Sequence, residues 1–222
     1  MYIKTVEEGK IRGFFTDKEG TSTSPYMNME VRESLGLTDY PWIRSHQVHS
    51  DEIRYINSAF EDMELEGYDA LVTDQAGIVL TTVHADCIPV QLYDPDRGVI
   101  AAVHAGWKGT ALGIAAKAAG YMRDEFDCEN IHAYIGPGIS LCCFEVGDEV
   151  AERFMDYEGV CVKYGEKYHV DLKKVNEMQL RKASVENITV SDRCTYCDDS
   201  FVSYRRDGGT DQRMASIIVM LP

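Results

Sequence analysis

The chain has 222 residues, long for one domain and short for two, and 45% of them are hydrophobic, enough to bury a sizeable core; it reads as a single domain over 1–222. Asp and Glu number 37 against 22 Lys and Arg, and the formal charge of −15 argues against a nucleic acid or an anionic membrane as partner. Residues 1–15 lack the basic start, apolar core and cleavage site of a signal peptide, and seven Cys is an odd number without small-scaffold spacing, so a cytoplasmic protein with reduced or metal-bound thiols is expected.

Residues 13–29 combine a short strand-like run with a polar loop, and 31–37 carries helical spacing stopped by Gly36. The stretch Gln47-Val48-His49, followed by 53–56, reads as a strand, which would turn His46 and His49 to opposite faces. Residues 61–67 read as a solvated acidic loop. Closely spaced strands over 68–74, 77–83, 88–93 and 98–104 suggest one meandering sheet, with Asp94-Pro95-Asp96-Arg97-Gly98 as a hairpin turn. Ala111, Ala115, Ala118 and Met122 recur at helical spacing within 110–126. A strand over 131–135, a helix over 145–155, a helix capped by Asp171 and running to 183, and strands over 187–190, 200–205 and 214–220 complete the expectation.

The chemistry gathers at the ends of apolar runs. Gly77-Ile78-Val79-Leu80-Thr81 leads to His84 and Cys87, and Gly98-Val99-Ile100-Ala101 leads to His104. His49, Cys87 and His104 offer two imidazoles and a thiolate, and three protein ligands with an open position is the pattern of a catalytic zinc. The alternatives are a buried Cys with hydrogen-bonded His, or a Cys87 nucleophile with His104 or His49 as base. Asp86 disfavours the nucleophile, because a neighbouring negative charge raises a thiol pKa unless it points away. His84 fits a supporting position better than a ligand. Cys194-Thr195-Tyr196-Cys197 is a lone CxxC without a second pair in sequence, and adjacent Cys142-Cys143 reads as packing or loop wall. Tyr204-Arg205-Arg206-Asp207 offers either guanidinium forks for an anion or a solvated turn.

These segments, with Asp69-Ala70-Leu71-Val72-Thr73, Ala85-Asp86-Cys87-Ile88-Pro89-Val90, Val103-His104-Ala105-Gly106-Trp107-Lys108-Gly109-Thr110, Ile135-Gly136-Pro137-Gly138-Ile139 and Phe201-Val202-Ser203-Tyr204-Arg205-Arg206, closely resemble the YfiH-like, or laccase-domain, family. The likeness runs in order from about residue 11 to the C-terminus. It implies an α/β chain with layered α/β/β/α architecture, similar to the catalytic domain of cytotoxic necrotizing factor, with mainly antiparallel or mixed sheets. It also implies that His49, Cys87 and His104 bind one zinc. Two departures stand out: Ser50 replaces a common Gly, and Asp211-Gln212-Arg213 replaces a common Gly-Arg, which puts a role for that arginine in doubt.

The resemblance implies several activities: phosphorolysis of purine nucleosides with adenosine deamination, copper-dependent polyphenol oxidation, and editing of peptidoglycan precursors by an amidohydrolase. Six scattered His cannot supply a multicopper cluster, so zinc is favoured over copper. Zinc with an open position activates water for attack on the purine carbon bearing the amino group. Phosphorolysis needs an anion site, for which Arg44, Lys108, Arg205 or Arg206 is available, with His84 as a further substrate-side candidate. The expected partner is a small molecule, a purine nucleoside with phosphate; a non-catalytic metal-holding protein is the alternative from another class.

Overall fold

Alternation along two apolar strands sorts the protein into layers. In the Val99–Ala105 strand every residue is buried, yet Val99, Ala101, Val103 and Ala105 join one core cluster while Ile100 and Ala102 join another. A strand buried on both faces lies between two layers, which is why its sequence is a continuous apolar run. The computed structural model describes residues 1–22 and 28–222, so part of the polar loop expected over 13–29 lies outside the described residues.

Two six-stranded mixed sheets stack face to face. The first has the order Tyr2–Glu8, Ile11–Thr16, Met214–Met220, Val79–His84, Trp42–His46, Met63–Glu66. The second has the order Asn187–Val190, His132–Ile135, Ile88–Asp94, Val99–Ala105, Ala70–Thr73, Ile53–Tyr55. Ile43, Leu71, Leu80, Ile100 and Ile218 fill the space between them. The Ile114–Phe126 and Leu172–Lys182 helices cover the outer face of the second sheet, and the small residues Ala115, Ala118 and Ala119 let the first of these approach closely. Val31 of the Met29–Leu35 helix packs with Trp42, Val79 and Ile217 on the outer face of the first sheet. The layering is therefore α/β/β/α. No helix among the described residues is long and apolar enough to cross a membrane.

Helix ends follow the sequence signals. Asn28 accepts a hydrogen bond from the Val31 amide, Gly36 closes the same helix in the left-handed region at φ 67°, and Asp171 caps the Leu172–Lys182 helix through the Lys174 amide at 3.0 Å.

Several expectations are corrected. The 61–67 segment contains the Met63–Glu66 edge strand, with Met63 and Leu65 on the inter-sheet core while Glu64 and Glu66 face outward. The strands from 68 to 104 do not form one meander, because Val79–His84 pairs in the first sheet and its sequence neighbours pair in the second. The helix expected over 110–126 is divided by Gly113, at φ 78°, into Trp107–Leu112 and Ile114–Phe126. Over 145–155 the chain makes a short strand, Glu145–Val146, then only the Asp148–Ala151 helical turn, because Glu145 and Val146 pair with His169 and Tyr168. That strand belongs to a three-stranded sheet with the Cys161–Tyr164 and Lys167–Val170 hairpin, which the sequence reading passed over along with the Tyr2–Glu8 strand. The 200–205 segment is turns, and the Arg206 guanidinium takes the carbonyls of Phe201, Thr195 and Tyr196.

Candidate metal centre

Three chain segments meet at one end of the inter-sheet space. The Trp42–His46 strand stops at His46 because the next amides turn toward a carboxylate: Asp69 accepts hydrogen bonds from the Val48, His49 and Ser50 backbone N–H groups at 3.1, 3.0 and 2.8 Å. His49 sits at φ 61°, in a turn and not in the expected strand. Gln47 stands in for a missing strand partner, its side chain accepting from the Val83 amide at 2.7 Å and donating to the Val83 carbonyl at 2.8 Å.

Cys87 is delivered by the turn between Val79–His84 and Ile88–Asp94, where Asp86 adopts φ 82°. This unfavourable backbone is held by the Asp86 carboxylate, which accepts from Thr195 Oγ1 at 2.7 Å, Ser203 Oγ at 3.0 Å and the Arg205 amide at 2.7 Å. The charge thus points away from the Cys87 sulfur. His104 comes from the second sheet, on the same face as Ile100 and Ala102.

The ligand atoms of His49, Cys87 and His104 lie within 4.8 Å of one another, with Cys87 Sγ 3.8 Å from His49 Nε2. His104 Nδ1 donates to Asp69 Oδ1 at 2.8 Å, which fixes the tautomer and leaves Nε2 for the shared point. The surroundings fit a cation of borderline softness, since nitrogen and sulfur donors converge and the backbone leaves them room. A Cβ on Gly106 would stand 2.7 Å from His49 Cδ2 and 3.2 Å from Cys87 Sγ.

Without a metal the donors form an ion pair, a Cys87 thiolate ready to ligate beside a His104 imidazolium that must lose its Nε2 proton for a metal to bind. Burial opposes ionisation of Cys87, but the His104 imidazolium and the hydrogen bonds of His104 and His49 bring its thiol down to about 6. Burial likewise opposes the charge on His104, and the Cys87 thiolate with the Asp69 carboxylate raises it to about 9. Desolvation of Asp69 is outweighed by His104 and Ser50, which hold it at about 2.

A cavity of about 650 Å³ opens over the three donors and is lined also by Arg44, Gln47, Tyr204 and Arg213. Arg44 is paired with Glu64. His84 lies buried behind the site, where Nδ1 donates to the Cys87 carbonyl at 3.2 Å and Nε2 accepts from Thr82 Oγ1 at 2.8 Å. Burial lowers the His84 pKa well below the usual imidazole value, so it is neutral. Lys108 is exposed beside the Trp107 ring, and Arg205 reaches the Glu145 carbonyl, so neither is among the residues lining the cavity. Arg213, whose role the Asp211-Gln212-Arg213 departure put in doubt, lines the cavity, and Asp69 is the functional candidate absent from the sequence reading, its only signal being a lone acidic residue opening an apolar strand.

A layered α/β/β/α protein with a three-donor His/Cys centre is the class that fold and site define. A family model described as multi-copper polyphenol oxidoreductase laccase matches residues 27–221, and the chain belongs to this laccase-domain, YfiH-like family. It is 40% identical to a purine nucleoside phosphorylase of Clostridium acetobutylicum, over 99% of this chain and 91% of that protein. It is 38% identical to an adenosine deaminase from an unknown prokaryotic organism, over 78% of this chain and 73% of the relative. The crystal structure of the Bacillus licheniformis hypothetical protein YfiH superposes with a TM-score of 0.84 at 32% identity, covering 95% of this chain and 92% of that one.

Proposed function

We propose that the chain is a zinc-dependent purine nucleoside phosphorylase, converting adenosine, inosine or methylthioadenosine with phosphate into free base and ribose 1-phosphate, and that it also deaminates adenosine. The observation that carries this reading is the convergence of His49, Cys87 and His104 under a cavity large enough for a nucleoside. The names of the relatives point to the same chemistry. In this reading His49, Cys87 and His104 hold the zinc, which when bound supplies Lewis-acid activation. Asp69 orients His104 through Nδ1. Arg44 and Arg213, on the cavity wall, supply guanidinium donors for phosphate, and the Tyr204 ring offers the base an apolar face. His84 acts only by holding the Cys87 carbonyl.

Zinc is preferred over copper because two imidazoles and one thiolate suit a single ion of borderline softness, and no imidazole cluster for several coppers occurs among the described residues. Zinc-loaded protein given adenosine and phosphate should release adenine and ribose 1-phosphate, and inosine should appear when phosphate is omitted. Release no greater than that of a Cys87→Ala control would sink the proposal.

A further inference from the structure

The lone CxxC gains a second pair only in three dimensions. Cys142 Sγ lies 3.4 Å from Cys143 Sγ and 3.7 Å from Cys197 Sγ, and Cys143 Sγ lies 3.2 Å from Cys197 Sγ. With Cys194 included, all four sulfurs fall within 4.8 Å of one another, and all four cysteines are free thiols. Four sulfurs at about 2.3 Å from a tetrahedral zinc stand about 3.8 Å apart, in the middle of this spread. We infer that Cys142, Cys143, Cys194 and Cys197 form a second, structural zinc site, separate from the His49, Cys87 and His104 centre.

The backbone offers a donor to the cluster: the Ser140 N–H points at the Cys194 sulfur at 3.4 Å, an arrangement that suits a thiolate there. A tetrathiolate zinc carries excess negative charge, and the buried Lys173 supplies an ammonium nearby. Its Nζ donates to Ser140 Oγ at 3.0 Å, the Ser191 carbonyl at 3.1 Å and the Arg193 carbonyl at 2.6 Å, which ties it to both cysteine-bearing segments. Sulfur donors alone, with all four positions filled by protein, make a closed site that holds structure and leaves no position for substrate.

The site has a task in the fold. The two segments it joins are linked not by a regular strand pair but by the isolated Gly138 to Cys194 bridge and the Thr195 amide donating to the Gly138 carbonyl at 3.2 Å. Thr195, inside the CxxC, donates to Asp86, and the Ile139 amide donates to the Asp86 carbonyl at 2.9 Å. A metal binding the four sulfurs therefore staples both sides of the turn that presents Cys87.

The test uses the full chain, purified under reductant, stripped with a chelator and reloaded with zinc or cobalt(II). Wild-type protein should hold two zinc ions, while Cys142→Ser/Cys197→Ser and Cys87→Ala should hold one each. The Cys87→Ala protein loaded with cobalt should retain the strong sulfur-to-cobalt absorption of a four-thiolate site, and the double serine variant should lose it. The buried Cys194 is left in place so that folding is disturbed least, and the Cys87→Ala spectrum reads the intact cluster if the serine variant fails to fold. A single zinc in wild type that disappears in Cys87→Ala, or a loaded protein with two fewer titratable thiols because a disulfide has formed, would overturn the inference. Failure of the His49, Cys87 and His104 reading looks different, since wild type and Cys87→Ala would then carry the same single ion at the cysteines.

Discussion

A carboxylate without exposed surface that accepts from three backbone amides, the Ser50 hydroxyl and His104 cannot exchange an oxygen for an amide group without turning a donor toward donors. Asp69→Asn should therefore weaken zinc binding by about 10–100-fold, measured by competition with a chelating dye. The low pKa of Asp69, about 2, also has a signed consequence for stability. A depressed carboxylate stabilises the fold above its unfolded value of about 3.9, and the contribution, on the order of 2 kcal/mol, is lost as the pH falls through about 2. Cys87 gives a second pH signature. Its thiolate, stabilised by His104, persists down to about 6, so iodoacetamide modification of the metal-free protein should slow only as the pH drops through about 6. An ordinary thiol loses reactivity below about 8.5. Zinc should block the reaction, and a rate that follows the ordinary thiol would refute the pairing.

At the scale of elements, the site depends on turns more than on the strands that flank them. His49 and Asp86 both occupy left-handed backbone that few side chains adopt without support. Asp86 holds its turn through three short hydrogen bonds to the 195–205 segment. Asp86→Ala should cost about 3 kcal/mol, read as a lower urea midpoint, because it strands the buried Thr195 and Ser203 hydroxyls, frees the Arg205 amide and releases the turn that carries Cys87. Little of this was legible along the chain. The apolar run ending at His104 announced a buried strand, and its inward parity followed from period two. The strand expected through His49 failed because the Asp69 carboxylate outcompetes a neighbouring strand for three amides. A segment of 61–67 rich in Glu looked solvated, yet alternate apolar residues were enough to place it at a sheet edge.

For the whole molecule, the union of the two sheets is the property on which the site depends, since Cys87 and His104 arrive from the turns and strands of different layers. Between the sheets Gln91 is a buried polar hub, pointing from the Ile88–Asp94 strand into the first sheet. Its Nε2 donates to the Phe14 carbonyl at 3.1 Å, Ser216 Oγ at 3.0 Å and the Ile217 carbonyl at 2.9 Å, while Oε1 accepts from Thr5 Oγ1 at 2.6 Å. Gln91→Leu keeps the volume but leaves those groups without their partner, so unfolding free energy should fall by about 2–3 kcal/mol in a denaturant titration. An unchanged midpoint would show that the sheets are held by apolar contact alone.

The sequence by itself determined the apolar strands, the capped helices and, through collinear motifs, the family and its layered architecture, because these depend on residues close together along the chain. Only the tertiary structure decided that Asp69 orients His104, that Arg213 reaches the cavity while Lys108 and Arg205 do not line it, and that four cysteines from two distant segments converge. The physical reason is the same in each case. A ligand set or hydrogen-bond hub is fixed by side-chain directions across sheets and turns, and no local period in the chain encodes where two separate turns will meet.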